Sequence, residues 1–370
     1  MVWLTPGCGY QEVGQMDSVF VRLKKSKTGM LGLGIFLSLF VFCFVGGLLS
    51  PYDQDQVFYR QQTQLLDVGF VTETAGVSSA GSPLPQGLLQ AAQAAISKGE
   101  QAFSHEEETY YLRATYGGFD LQMQRQTLLY DSYALPSRAH PLGTDKNGMD
   151  ILTRLMYGGR VSLVVGVVAV AIALLIGTVL GGIAGFFGGF ADGVIMRLVD
   201  VFFCIPSLPI LLILGAAMDK LRLDATWRLL GMMAVLGLLG WPEIARLVRG
   251  QLLSLREQEF MLAALGAGLP GRYRLFHHLL PNVVPQLIVV GTLRLGGTIL
   301  TEATLSFLGL GVKFPYASWG NMVSDVTNAY VLTTYYFVWI PAGICLVLGV
   351  LGFHLLGDGL RDAFDPKEGV

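Results

Sequence analysis

The chain has 370 residues, of which 52% are hydrophobic and only 14% are charged. A soluble domain carries about 25% charged residues, so this composition excludes an ordinary soluble domain and favours a polytopic membrane protein. The formal net charge is −2 and there is no long basic tract, which argues against a nucleic-acid partner. The four cysteines lack the spacing of metal ligands, so no metal site is predicted.

Six nearly uncharged runs are long enough to cross a bilayer, for which a helix needs about 20 mostly apolar residues. They predict spans at about 28–52, 161–191, 197–218, 228–248, 283–310 and within 326–353. Pro206 and Pro209 interrupt the third span, which predicts a broken helix there. Gly177, Gly181 and Gly185 form a stripe of small residues on the second, where another helix can approach closely. The predicted fold is all-α and polytopic, with six transmembrane helices.

The spans also predict how the chain is organised. The segments are a cytoplasmic N-terminal segment at 1–27, the first transmembrane helix at 28–52, an extracytoplasmic insert at 53–150, a core with five transmembrane helices at 151–357, and a cytoplasmic tail at 358–370. Basic clusters before span one and between spans four and five favour the cytoplasm for both termini. The basic residues between spans three and four argue for the opposite orientation.

The insert at 53–150 is polar and shows one helical pattern. Its apolar positions recur at the spacing of an amphipathic helix, at Leu88, Leu89, Ala92, Ala95 and Ile96. No catalytic pattern occurs in it. Two roles for the insert are equally compatible with this pattern: it packs on the bundle as a lid, or it provides a surface on which a partner docks.

Two ionisable residues, Arg294 and Glu302, lie inside the fifth predicted span. Eight residues correspond to about 12 Å along a helix, which is too far for a direct ion pair. Each is either satisfied by a neighbouring helix or exposed to a water path, because charges within a membrane are costly. Together with Pro206 they are the candidates for a translocation path. No paired catalytic spacing occurs, so no catalytic residue is predicted.

The stretch FMLAALGAGLPGRYRLFHHLLPN, at residues 260–282, is less apolar than the spans on either side of it. A short helix here presents a narrow, mostly small-residue face, formed by Phe260, Ala263, Ala264 and Ala267. Gly268 and the Pro270–Gly271 pair should end this helix and turn the chain. The residues alone leave two alternatives, a helix that fits a groove on another protein and one that rests on lipid headgroups.

A second segment follows the turn and is basic and aromatic. Its residues suit a membrane interface, and they are Arg272, Tyr273, Arg274 and Phe276. Pro281 is predicted to mark the entry to span five. A segment of this design between two spans can transmit the movement of a soluble partner to both.

This stretch resembles the EAA signature of binding-protein-dependent ABC importer permeases. The matching offsets are occupied by Ala263, Ala264, Gly268, Leu280 and Pro281. Leu262 stands where that family most often has glutamate, which suggests that the contact with the ATPase depends on shape, helped by Glu259 one turn earlier. The resemblance implies a coupling helix near 259–272, within a coupling loop at 259–281.

Five further stretches resemble the oligopeptide/dipeptide/nickel subgroup of these permeases. They are HPLGTDKNGMDILTRLMYGGRVSLVVG, GFADGVIMRLVDVFFCIPSLPILL, GWPEIARLVRGQLLSLREQEF, TEATLSFLGLGV with SWGNM, and LLGDGLRDAFDP. The resemblance implies a type I ABC importer permease fold in a bacterial cytoplasmic membrane. It also implies a second related permease, two ATPase subunits that bind ATP and Mg, an extracytoplasmic solute-binding protein and a peptide substrate. This chain itself would bind no cofactor and would not be an enzyme.

Two other functions compete with transport. A membrane scaffold or sensor would bind a partner through the 53–150 insert, but it does not explain the design of residues 260–282. An intramembrane enzyme would use Glu302, Asp200 or a histidine, yet none of these has a partner at catalytic spacing. The resemblance favours a transport subunit over both.

Overall fold

The computed structural model describes residues 20–72 and 74–364. The ends of the predicted N-terminal segment and C-terminal tail, at 1–19 and 365–370, lie outside the described residues. The chain forms two compact units. The membrane unit contains the residues up to Gln56, Tyr133–Asp145 and those from Met149 onward, and the insert unit contains Val57–Ser132 with Lys146–Gly148.

Helices dominate the membrane unit, and one helix belongs to the insert unit. In chain order they are α1 (Lys27–Leu49), α2 (Gln86–Lys98), α3 (Ile151–Phe187), α4 (Gly189–Cys204), α5 (Ser207–Lys220), α6 (Ala225–Arg256), α7 (Glu259–Gly266), α8 (Gly271–Phe307), α9 (Trp319–Val323), α10 (Ala329–Thr334) and α11 (Tyr336–Phe364). Among the described residues α1, α3, α6, α8 and α11 are each long and apolar enough to cross a membrane. The bent pair α4 and α5 supplies a sixth candidate span, which agrees with the predicted fold class.

The sixth candidate span is broken where the sequence predicted. Helices α4 and α5 meet at an angle of 80° across Ile205 and Pro206. Pro206 has extended backbone and lies at the N-cap of α5. Pro209 lies in the first turn of α5, where the missing N–H has no partner within the helix in any case. Only Pro206 therefore breaks the span.

Several spans are longer than the predicted runs, among them α3, which begins at Ile151 rather than at 161. Helix α6 continues to Arg256, eight residues beyond its predicted end, and α8 begins at Gly271 rather than near 283. Arg246, near the predicted end of this span, and Arg249, just beyond it, both lie on α6 and pair with carboxylates of α4. These pairs allow the helix to continue past its apolar part, which a hydropathy window alone does not detect.

The glycine stripe of α3 packs against α6, as its spacing predicted. A Cβ added at Gly177 would press on Ile244, one at Gly181 on the backbone of Ala245, and one at Gly185 on Leu252. The two backbones approach so closely because glycine has no side chain. Helices α1 and α11 meet in a similar way at Gly29 and Gly359.

Gly181→Ala should destabilise the membrane unit, because the added methyl group meets the backbone of α6, which cannot rotate away. We expect a loss of about 1–3 kcal/mol, the range for overpacking a well-packed core. The neighbouring Gly182→Ala is the matched control, because its Cβ meets nothing within 4 Å. Thermal unfolding of the purified permease would compare the two variants. Equal melting temperatures would contradict the packing role of the stripe.

The insert unit is a five-stranded antiparallel sheet covered by α2. The strands are β1 (Tyr59–Val71), β2 (Gly76–Ser78), β3 (Ala102–His105), β4 (Glu108–Thr115) and β5 (Gly118–Tyr130), in the order β2-β1-β5-β4-β3. The predicted amphipathic helix is confirmed, and its buried face is formed by Leu88, Ala92 and Ala95. The prediction of an all-α chain is wrong for this unit, because the strands were not anticipated. Their alternation is weak, since half of β1 is exposed on both faces.

Candidate functional site

Helix α7 begins and ends for local reasons. Glu259 lies in its first turn, where a carboxylate interacts favourably with the helix dipole. At the other end Gly268 adopts the left-handed conformation, with φ of 69°. The backbone N–H of Gly268 donates to Leu265 O at 3.0 Å, and that of Leu269 donates to Ala264 O at 3.1 Å. This pair of bonds is a Schellman motif, and it ends α7 at the predicted glycine.

One face of α7 is anchored to its own chain. Met261 and Ala264 are buried, and Met261 packs in a cluster with Val248 and Leu252 of α6 and with Leu279 of α8. The prediction that Ala264 lies on the face offered to a partner is therefore wrong. Periodicity alone identified a face of small residues on α7, but it could not show which side of the helix packs against the bundle.

The opposite face of α7 is open. Its exposed residues are Glu259, Leu262, Ala263, Gly266 and Ala267. Leu262 is 58% exposed, although α7 is far too short to be a membrane span. Leu265, at 55%, and Phe260, at 37%, extend the apolar surface. Exposed leucines on a short connecting helix mark a contact surface for another protein or for the membrane interface, which are the two alternatives that the sequence left open.

The basic, aromatic segment after the turn is part of α8. Its residues Arg274–Leu279 form a wide helical turn, and the helix then continues through Pro281. The α-helical part of span five begins at Leu280 with Pro281 in its first turn, as predicted, and the preceding segment joins it without a break. The wide turn accommodates the missing N–H of the proline, and the Asn282 side chain donates to His278 O at 2.6 Å.

Arginines fix the ends of the helices beside α7. Arg256 Nη1 donates to Gly185 O at 3.0 Å and to Phe186 O at 3.2 Å, at the last turn of α3. Arg249 binds Asp192 of α4 through two hydrogen bonds of 2.5 and 2.6 Å. The base of the loop is thus tied to three spans, and its outer face is left open.

Glu302 is fully buried and serves the packing of the bundle. Ser162 Oγ of α3 donates to its Oε2 at 2.9 Å, and Ser306 Oγ donates to its Oε1 at 2.7 Å. The two hydroxyl oxygens in turn accept the backbone N–H groups of Trp319 and Val312. The contacts favour the first alternative, in which neighbouring helices satisfy Glu302, over a place on the path.

Arg294 has a different environment. Its Nη1 donates to Glu243 Oε2 of α6 at 2.5 Å. Both side chains line a cavity of about 540 Å³ between α5, α6, α8 and α11. Ser207, directly after Pro206, lines the same cavity. Of the three path candidates, Arg294 lines this cavity, whereas Pro206 and Glu302 each follow or precede a lining residue, Ser207 or Thr301, without lining it themselves.

Glu243 was not among the residues predicted for a site. Its signal was available in the sequence, because it is an ionisable residue within an apolar span and has the opposite sign to Arg294. What the sequence does not give is the rotation of α6 and α8 that brings the two together.

Comparison with known protein families identifies the family of this chain. The model of the binding-protein-dependent transport system inner membrane component matches residues 177–369. The model of the N-terminal transmembrane domain of oligopeptide transport permease C matches residues 14–66.

Curated relatives carry corresponding names. The oligopeptide transport system permease protein of Bacillus subtilis is 42% identical over 235 residues, which cover 63% of this chain and 73% of the relative. The dipeptide transport system permease protein of Alkalihalophilus pseudofirmus is 41% identical over 232 residues, with the same coverage. The oligopeptide permease protein of Escherichia coli is 42% identical over 229 residues, covering 62% of this chain and 73% of the relative. The chain therefore belongs to the family of binding-protein-dependent transport system inner membrane components, and it is a multi-pass permease subunit of an ABC importer, as its motifs indicated.

Proposed function

We propose that this chain is the permease subunit of an ATP-driven peptide importer and that α7 is its coupling helix. The observation that carries the proposal is the division of α7 into a buried face, with Met261 and Ala264, and an open apolar face, with Leu262 and Ala263. The names of the curated relatives support oligopeptides or dipeptides as the substrate class.

The proposed mechanism follows from how α7 is attached. Two ATPase subunits bind ATP and Mg, and a cleft of one ATPase receives the open face of α7. When the ATPases close, they pull α7, and the buried Met261 transfers that movement to α6 and α8. Because α8 runs from Gly271 to Phe307 without a break, the movement is passed along one helix to its membrane part. This chain itself performs no catalysis.

The remaining partners complete the importer. A second, related permease forms the other half of the path, and an extracytoplasmic solute-binding protein delivers the peptide. Both termini of this chain lie in the cytoplasm. This orientation also places α7 on the side where ATP is available.

The test is to co-purify the permease with its partners and reconstitute the complex in liposomes. ATP-dependent uptake of di- and oligopeptides is the expected result, and mass spectrometry of the co-purified ligand would identify the peptide. A complex that contains no ATPase would refute the proposal. It would favour the alternative, a scaffold or sensor that acts through the 53–150 insert.

Removing the insert unit should weaken delivery of substrate. In this proposal the insert helps the solute-binding protein to dock, and its core is separate from that of the membrane unit. Tyr59 and Tyr130 face each other across β1 and β5, so two glycines can join them after deletion of residues 60–129. We expect uptake to fall at least fivefold while ATPase co-purification is unchanged. Normal uptake would instead identify the insert as a lid without a role in docking.

A further inference from the structure

The Arg294–Glu243 pair occupies a cavity whose lining is otherwise mostly apolar. Leu211 of α5 and Leu236 and Leu239 of α6 line it, together with hydroxyl side chains of α5 and α8 and with His354 of α11. Its volume of about 540 Å³ lies within the range of small-molecule sites, about 300–1,000 Å³. A few convergent polar groups in an apolar cavity are the usual arrangement of a site that orients a ligand.

The ion pair leaves much of its bonding capacity unused. A guanidinium carries five N–H donors, and within residues 20–72 and 74–364 that of Arg294 makes one hydrogen bond, to Glu243. The Glu243 side chain is 63% exposed and that of Arg294 is 25% exposed. The remaining donors of the fork can therefore receive a carboxylate from the cavity.

The neighbouring helix leaves room for this guanidinium. Gly240 lies one turn before Glu243 on α6, and a Cβ added there would come within 3.2 Å of Arg294 Nη2. The absence of a side chain at Gly240 thus leaves room beside α6 for the guanidinium of Arg294.

Charges within a membrane are costly unless they are paired, and they are kept where a substrate passes. The pair is neutral, so an ion of either sign would leave one of the two residues without a partner. A zwitterion would satisfy both. We propose that Arg294 binds the C-terminal carboxylate, and Glu243 the N-terminal ammonium group, of a dipeptide that passes through this cavity, because the two ends of a longer extended peptide lie too far apart for two adjacent side chains.

The pairing also provides for release. When the peptide leaves, the Glu243 carboxylate returns to Arg294, so it competes with the substrate for the same donors. Binding at this point is therefore weak and exchangeable, as a transport path requires. The leucines of the cavity wall contact peptide side chains of any sequence. This inference rests on the proposed function as a peptide permease.

The test compares peptides with free and blocked ends in the reconstituted complex, using a peptide pair that wild type takes up in both forms. Arg294→Gln should lower uptake of the free-acid peptide at least tenfold, and uptake of its C-terminal amide less than twofold. Glu243→Gln should have the corresponding effect on a free-amine peptide against its N-acetyl form. Each variant is compared with wild type on the same peptide, so the preference of the solute-binding protein cancels.

Arg246→Gln is the matched control. Arg246 pairs with Asp200 at 2.9 Å, is on the same helix as Glu243, and does not line the cavity. It should leave the ratio between free and blocked peptides unchanged. A similar change of ratio in this variant would overturn the proposal.

The remaining outcomes separate this inference from the proposed function. Equal loss of free and blocked peptides in Arg294→Gln and Glu243→Gln would mean that the pair only holds the helices, and this inference would fail alone. If wild type took up no peptide at all, the proposed function would fail and this inference with it. If Arg294→Gln did not assemble, Glu243→Gln would test the inference by itself. The Glu243 side chain is exposed, and glutamine has nearly the same size, so this substitution removes the charge without creating a void.

Discussion

Replacing Ala263 by tryptophan should reduce ATP-driven uptake at least tenfold without reducing the amount of assembled permease. Ala263 is exposed on the open face of α7, so a larger side chain there extends away from the buried face with Met261 and Ala264. In the cleft of an ATPase it would push the coupling helix away from its seat. A tenfold effect corresponds to about 1.4 kcal/mol, which is small for a bulky residue at a close-fitting interface. Uptake and ATP hydrolysis, measured together in liposomes, would show hydrolysis without transport.

The adjacent Ala264 provides the matched control. Ala264 is only 7% exposed and faces its own bundle, so Ala264→Trp should impair folding and lower the yield of permease. Gly268, with its positive φ, should also tolerate substitution poorly, because a Cβ strains the end of α7. If Ala263→Trp transported normally, α7 would not be the coupling helix. If both alanine variants lost yield equally, the division of α7 into two faces would be wrong.

Replacing Glu302 by alanine should destabilise the permease without blocking transport through the molecules that still assemble. The variant leaves the hydroxyls of Ser162 and Ser306 without their acceptor in a buried site. Each unsatisfied buried donor costs about 1–3 kcal/mol, and the cavity left by the side chain adds to this cost. Thermal unfolding of the purified complex should show a lower melting temperature. Uptake per assembled complex, measured at low temperature, should stay within twofold of wild type.

Glu302→Gln separates hydrogen bonding from charge. The amide oxygen of glutamine can still accept a hydroxyl proton, and its shape is nearly the same, so much of the stability should return. If Glu302 were on the substrate path, uptake per complex would fall in both variants while the melting temperature stayed constant. That result would contradict the packing role.

Local chemistry explains why much of the coupling loop was predictable. Gly268 and Pro206 act through the conformation of their own backbone, and Ala263 acts through its small size. None of these effects depends on distant residues. The glycine stripe at Gly177 and Gly181 is also local, because three small residues on one face allow close approach whichever helix arrives. Spans were found because lipid requires about 20 apolar residues in a row.

Other features depend on how helices are rotated against one another. Whether Ala264 or Ala263 faces outward depends on which side α6 and α8 cover, and the period of α7 is the same in both cases. Glu302 meets Ser162 across 140 positions of sequence, and Arg294 meets Glu243 across 51. Such pairs result from packing, so the sequence identified the charged residues without identifying their partners.

By itself the sequence of 260–282 determined that a short helix lies between two spans, where it stops, and which family it resembles. Its offsets relate residues that are near in the chain, and a helix converts such offsets directly into positions on a surface. Only the tertiary structure decided which face of that helix is free, that the following segment is continuous with α8, and that the insert is a sheet. These depend on contacts between distant segments, whose free energy is realised only when the whole bundle has packed.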